Sequence, residues 1–338
     1  MFFWSLDSLP GSSNLEAMAM KPVYLLDTVH PRLPAGLNAL GMMCHEAWED
    51  APGELWPRIA DAYGLVIRSR MSLNAERLAA LPSLRFIARV GAGLENIDLA
   101  AARARGIAVF NAPEGNRDAV GEHALGMLLA LLHHLPRADR EVREGIWRRA
   151  ENRGTELGSL TVGIMGFGNT GGAFAEKLSG FGCRILAYDK YKSQYAPAGV
   201  EEVDMETLQA EAQVFSLHLP QSPETLGLVD ADFLARFAHP IYLINTARGK
   251  ALKTEALVDA LRSGRVLGAA LDVLEYEKSS FTGLFTREMP EPMRYLLQSE
   301  RVMLSPHIAG WTHQSHQRMA EVLLEKIANW QQKGADEI

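Results

Sequence analysis

Gly166-Phe167-Gly168-Asn169-Thr170-Gly171 is a G-x-G-x-x-G run between an apolar stretch, Leu160–Met165, and a helix-forming stretch through Ala173–Leu178. A second apolar run, Cys183–Tyr188, ends in Asp189, 18 residues past Gly171. Alone the run is a weak signal; in this strand–turn–helix–strand–acid context it predicts a dinucleotide site. Gly166 would make the tight turn and Gly168 would let backbone amides approach a pyrophosphate. The helix start at Asn169, Thr170 and Gly171 would add partial positive charge. Asp189 would bind a ribose diol and repel a 2′-phosphate, so the expected cofactor is NAD rather than NADP. The plain alternative is a glycine-rich turn without a ligand. Gly91-Ala92-Gly93 also follows an apolar run, but it lacks the third glycine and the later acid. It is either a tight turn or a set of amides, at Ala92 and Gly93, offered to a carboxylate.

Hydride chemistry at such a site needs a proton donor, an anchor for an anionic substrate and a group that tunes the donor. Ten histidines compete for the first role. His133, His134, His313 and His316 fall on predicted helices and read as surface or core residues. His307, in Ser305-Pro306-His307-Ile308-Ala309-Gly310, follows the end of a predicted strand. Arg248, in Asn245-Thr246-Ala247-Arg248-Gly249, follows another. Asp272 closes a third, with Glu275 and Glu277 just beyond. Strand carboxyl ends are where α/β sheets hold ligands, though position alone does not decide which of these line a cleft. Arg68, Ser69 and Arg70 end one more strand; two arginines there suit a phosphate or a solvated turn. No metal is expected, because there is no HExxH or CxxC and Cys44-His45 stands alone.

These residues need strands to present them. Period-2 or continuous apolar runs predict strands over Val23–Asp27, Leu65–Ser69, Arg85–Val90 and Ile107–Asn111. A long apolar helix over Ala119–Leu135, stopped by Pro136, follows. A second series comprises Leu160–Met165, Arg184–Tyr188, Val214–Leu219, Ile241–Thr246, Leu267–Asp272 and a short Val302–Ser305. Helices separate them, Thr254–Ser263 being ended by Gly264. An amphipathic helix over His316–Gln331 closes the chain. Strands alternating with helices imply an α/β fold with parallel sheets flanked by helices. Lys278–Glu300 has no clear period and reads as an insertion over a surface. Residues 1–20 read as a flexible leader, with Met18 or Met20 as alternative starts.

The 338 residues suit two domains and a sizeable core. Gly 29 and Pro 16 exclude collagenous and low-complexity classes. A net charge of −7 argues against a general nucleic-acid binder. Two cysteines, Cys44 and Cys183, give no disulfide framework and fit a reducing, cytoplasmic setting. No apolar run reaches membrane-spanning length.

At the motifs the chain resembles the D-isomer-specific 2-hydroxyacid dehydrogenases, over about residues 21–330. The matching segments, in order, are Gly91–Asp98, Asn111–His123, Gly166–Gly171 with Asp189, Asn245–Gly249, Leu271–Glu277 and Ser305–Gly310. The resemblance implies two Rossmann-like domains with an interdomain cleft. Residues 21–117 plus 312–338 would form the substrate domain and 118–311 the NAD-binding domain. By the same resemblance, Arg248 matches the arginine on the substrate's carboxylate and keto oxygen. His307 matches the general acid/base and Glu277 its carboxylate partner. Asp272 matches the residue near the nicotinamide carboxamide, and Ala92 and Gly93 match the loop that holds the substrate carboxylate. The implied reaction interconverts a D-2-hydroxy acid and its 2-keto acid. One departure is Lys278, where the family commonly has proline after the glutamate; Glu291, before Pro292, and Glu275 are the alternatives to Glu277. Ile67-Arg68-Ser69-Arg70 resembles the matching segment of the family's phosphoglycerate dehydrogenases. That points to 3-phosphoglycerate and phosphohydroxypyruvate; no C-terminal regulatory module is expected. NAD-sensing corepressors of the same fold are the alternative of another class. A homodimer is expected, because Ala119–Leu135 is apolar all round and the family uses this region as its subunit contact.

Overall fold

The computed structural model describes residues 21–277 and 289–334. The expected leader and most of the residues around Lys278 lie outside them. Among the described residues twelve strands form two sheets, and every pairing between them is parallel. The first sheet comprises β1 (Lys21–Leu25), β2 (Met42–Glu46), β3 (Gly64–Ile67), β4 (Phe86–Arg89) and β5 (Ala108–Asn111), in the order β2-β1-β3-β4-β5. The second comprises β6 (Thr161–Met165), β7 (Arg184–Tyr188), β8 (Glu201–Glu202), β9 (Val214–Leu217), β10 (Ile241–Asn245), β11 (Val266–Leu271) and β12 (Val302–Leu304). Its order is β12-β11-β10-β9-β6-β7-β8. The expected strands are there, shifted by up to two residues at their ends, because strand pairing rather than apolarity sets where each stops.

Both faces of each sheet are covered, as parallel sheets require. Along β10, Leu243 joins one buried cluster and Ile244 the other, the alternation of a pleated strand. Leu257 of the helix Thr254–Ser263 packs on the first face; Leu128 and Phe174 of the helices Pro113–Leu132 and Asn169–Leu178 pack on the second. On the smaller sheet, Met319, Ala320, Leu323 and Ile327 of the C-terminal helix His313–Gln332 join Val23, Val66 and Phe86. Gly115 lets that helix cross Pro113–Leu132 closely: a Cβ there would lie 2.6 Å from the Met319 backbone nitrogen.

Five expectations need correction. The helix expected over Ala119–Leu135 runs from Pro113 to Leu132, and Pro136 opens the next helix, Leu135–Arg143, rather than ending the first. His134 turns the chain between them with φ +53°, so His133 and His134 sit in a corner, not on a helix face. The all-round apolarity of Pro113–Leu132 is met within the chain, since it packs against Asn169–Leu178, the C-terminal helix and β11. Part of the segment read as periodless, Glu291–Gln298, is a helix that buries Met293 and Leu296. β2, an edge strand of sequence MMCHE, has only a short apolar run ended by His45 and Glu46, and was not expected.

Candidate active site

Each sheet has one point where the strand order reverses, and ligand crevices in open α/β sheets form there, beyond the carboxyl ends. In the larger sheet the reversal lies between β6 and β9, and β6 runs directly into Gly166. Gly166 has φ +93°, a region open chiefly to glycine. A Cβ on Gly171 would fall 2.0 Å from the Gly166 carbonyl oxygen, so the third glycine sets how closely helix and turn pack. A Cβ on Gly168 would meet nothing within 4 Å. The helix Asn169–Leu178 has no side-chain cap, so its first amides remain for an outside acceptor. A cavity of about 340 Å³ opens at Gly168 and Asn169, flanked by Arg117 and Lys192. Asp189 accepts from the Phe167 N–H at 2.9 Å and the Tyr191 N–H at 3.0 Å, which binds the end of β7 to the turn. Open space at Gly168, uncapped amides and a nearby carboxylate fit a dinucleotide's pyrophosphate and ribose.

Sequence reasoning missed the floor of this turn. His218, just past β9, is buried, and its ring lies 2.8 Å from Ser216 Oγ and 3.2 Å from Thr170 Oγ1. Burial pushes its pKa down to about 3, so it is a neutral hydrogen-bonding spacer.

His307 lies beyond β12 and has φ +57°, which costs a non-glycine residue about 1–3 kcal/mol. The surroundings hold it there. Its N–H donates to the Asp272 carbonyl at 2.8 Å. The Asp272 carboxylate accepts from Ser305 Oγ at 2.6 Å and from the Ile308 and Ala309 N–H groups at 2.8 Å each. Asp272 is 1% exposed. It therefore braces the histidine loop. His307 Nδ1 lies 3.2 Å from both oxygens of Glu277, so the carboxylate fixes the ring. The two alternative glutamates are engaged elsewhere. Glu275 accepts the first amide of the helix Thr254–Ser263, and Glu291 pairs with Arg262 at that helix's other end.

Arg248 follows β10. Its Nε donates to Glu95 Oε1 at 2.6 Å and its Nη1 to the Ala247 carbonyl at 2.7 Å. A Cβ on Gly93 would fall 2.2 Å from Arg248 Nη2. The Gly91–Gly93 turn of the smaller sheet thus touches the arginine of the larger one. Asn111 Nδ2 donates to the Ala92 carbonyl at 2.7 Å and fixes that turn.

The smaller sheet reverses between β1 and β3, and Arg68 sits there, its N–H donating to Asp27 Oδ2 at 2.6 Å. Its guanidinium lies 3.8 Å from the Trp311 ring centroid, four residues past His307. Arg70 turns the other way and donates to the carbonyls of Leu26, Ala47 and Asp50. Of the expected pair, Arg70 is a clamp on neighbouring loops; Ser69 lies between, partly buried. Arg89, at the end of β4, was not foreseen, because it sits inside an otherwise apolar strand. Burial pushes the pKa values of Arg68 and Arg89 down to about 10, which leaves both cationic at neutral pH. Among the described residues neither Nε has a hydrogen-bond partner. No group of three or more metal-ligating side chains exists among them either.

Residues 125–309 match the D-isomer specific 2-hydroxyacid dehydrogenase family in its NAD binding domain. The chain is 36% identical to a D-3-phosphoglycerate dehydrogenase of Mycobacterium bovis over 92% of its own length and 57% of the relative's. It therefore spans little more than half of that protein. It is also 36% identical to a hydroxypyruvate reductase of Thermotoga maritima, covering 81% of this chain and 86% of that one. A D-lactate dehydrogenase of Aquifex aeolicus, solved with NAD and lactic acid, superposes with a TM-score of 0.80 at 26% identity, over 94% of this chain and 97% of that one. The chain belongs to the D-isomer specific 2-hydroxyacid dehydrogenase family. Its fold is that of the family, two Rossmann-like domains of parallel sheet flanked by helices, and its cofactor class is NAD.

Proposed function

We propose that the chain is an NAD-dependent dehydrogenase that interconverts a D-2-hydroxy acid and its 2-keto acid. The observation that carries this reading is the His307–Glu277 pair, a histidine held in a costly backbone conformation beyond the carboxyl ends of the same parallel sheet that carries the dinucleotide turn. When bound, the nicotinamide exchanges a hydride with substrate C2. The chain does the rest. Arg248 and the Ala92–Gly93 amides hold the substrate carboxylate. His307 gives the hydroxyl its proton in one direction and takes it in the other, while Glu277 keeps the ring aimed and stabilises its charged form. Gly168 and the first amides of Asn169–Leu178 take the pyrophosphate. Residues 21–117 with 312–334 serve as the substrate side and 118–311 as the cofactor side.

For the substrate, the reading is a phosphorylated three-carbon acid, phosphohydroxypyruvate or 3-phosphoglycerate. Arg248 serves the carboxylate, and Arg68 and Arg89 offer cationic charge with hydrogen-bonding capacity to spare, which suits a second anion. A homodimer is part of the proposal. Leu135, Val142 and Trp147, 54–76% exposed on and just after Leu135–Arg143, are its suggested contact; sedimentation at twice 37.2 kDa would support it. The test of the activity is NADH-dependent reduction of 2-keto acids with chiral analysis of the product, which should be the D isomer. An L product would contradict it.

A further inference from the structure

Glu95 lies past β4, on the smaller sheet, and its carboxylate meets Arg248 of the larger sheet at 2.6 Å. The contact is specific in its atoms. Arg248 Nε goes to Glu95 and Nη1 to the carbonyl of Ala247. Nη2 is the edge turned to Gly93, where a Cβ would fall 2.2 Å from Nη2 and 2.1 Å from Glu95 Oε2. A guanidinium is a flat fork whose five N–H groups are fixed relative to one another. Holding Nε and Nη1 therefore fixes the direction of Nη2. The orientation so fixed points Nη2 at the turn whose amides are proposed to hold the substrate carboxylate.

We propose that Glu95 is a positioning residue for substrate binding: it holds Arg248 so that Nη2 faces the Ala92–Gly93 turn. This rests on the reading of Arg248 as the carboxylate anchor. Glu95 touches neither cofactor nor reacting atoms in this scheme, and it acts through the arginine. Charge supports the role. Arg89 and Arg248 repel each other, and Glu95 attracts both. Burial alone would raise the Glu95 carboxyl, but Arg248 and then Arg89 hold it below the usual glutamate range. It therefore stays ionised wherever a histidine titrates, and its loss should not reshape the pH–rate profile. The opposite role gives the opposite sign. An internal carboxylate on the anchor would compete with the substrate, and removing it would then tighten binding.

The probe is oxalate, a planar dicarboxylate that resembles a 2-keto acid, titrated into the NADH-loaded enzyme and followed by NADH fluorescence. Glu95→Ala should weaken oxalate binding about tenfold or more, the worth of one charge-assisted hydrogen bond. Glu95→Gln keeps an acceptor oxygen and should lose less. In both variants KM for the 2-keto acid should rise more than kcat falls. The NADH Kd, the melting temperature and the shape of the pH–rate profile should hold. Arg248→Lys is measured alongside. If Arg248→Lys weakens oxalate and Glu95→Ala leaves it unchanged or tighter, the positioning role is overturned. If Glu95→Ala weakens oxalate but shifts NADH affinity and melting temperature as much, the role is general packing, and the proposal also fails. If oxalate is indifferent to Arg248→Lys, the carboxylate-anchor reading beneath it fails instead.

Discussion

At the scale of single residues, the proposed mechanism depends on one histidine and its carboxylate. His307→Gln should lower kcat by about 10²–10⁴, the usual worth of general acid–base catalysis, with little change in NADH affinity. Glu277→Gln replaces the carboxylate that fixes the ring, so kcat should fall in the same direction as in His307→Gln but by less. If Glu291→Gln lowers kcat instead, the assignment of the partner is wrong. Arg68 and Arg70 make a second pair that can be separated. Arg68→Ala should raise KM for phosphohydroxypyruvate about ten- to a hundredfold and leave glyoxylate nearly untouched. Arg70→Ala removes a clamp on three carbonyls, so it should lower the melting temperature and affect both substrates alike. Equal losses in Arg68→Ala would take the phosphate role from that residue. The residue types and motif order were legible in the sequence; their partners were not. Arg68 and Arg70 stand two apart, and only the turn after β3 decides that they diverge. Arg89 and His218 carried no signal, since each reads as a polar interruption of a buried strand or its end. Asp272 matched a cofactor contact by motif, yet its burial under the His307 loop is a tertiary fact.

At the scale of elements, the dinucleotide turn couples one strand, one helix and the end of the next strand. Asp189 accepts two backbone N–H groups there, so it shapes the loop; in the proposed reading its charge also faces the ribose and repels a 2′-phosphate. Asp189→Ala should therefore weaken NADH binding and narrow its advantage over NADPH, as measured by the two Kd values. An unchanged ratio would mean that Asp189 does not set cofactor choice; Lys190, paired with Glu224 at 2.7 Å, and Lys192, held on the Phe167 carbonyl at 2.7 Å, would be the next residues to test. Elements with continuous apolar runs were legible nearly to the residue: Arg184–Tyr188 and Thr254–Ser263 have the expected bounds. The latter ends at Gly264 with φ +79°, a position where glycine is favoured. Legibility failed where pairing or a cap replaced apolarity. The edge strand β2 pairs only with β1. The helix Pro113–Leu132 begins six residues before its apolar run, because proline is preorganised for a first turn.

At the scale of the molecule, side chains that follow strands of one sheet meet side chains that follow strands of the other. Arg248 of one sheet rests on Glu95 of the other, and Trp311, beyond His307, covers Arg68. The two-domain α/β plan was legible from strand–helix alternation and from the motifs. The contacts between the two halves were not, because they join residues up to 243 positions apart, as in Arg68 and Trp311. Among the described residues no helix is long and apolar enough to cross a membrane. In the proposed function the protein turns over a 2-keto acid rather than merely sensing NAD(H). The direct measurement is NADH absorbance on mixing the protein with phosphohydroxypyruvate, hydroxypyruvate, pyruvate and glyoxylate in turn. NADH should be consumed, with the highest kcat/KM on phosphohydroxypyruvate by about tenfold or more. NADH that binds but is consumed with none of the four would contradict it and leave a nucleotide-sensing protein on a dehydrogenase fold.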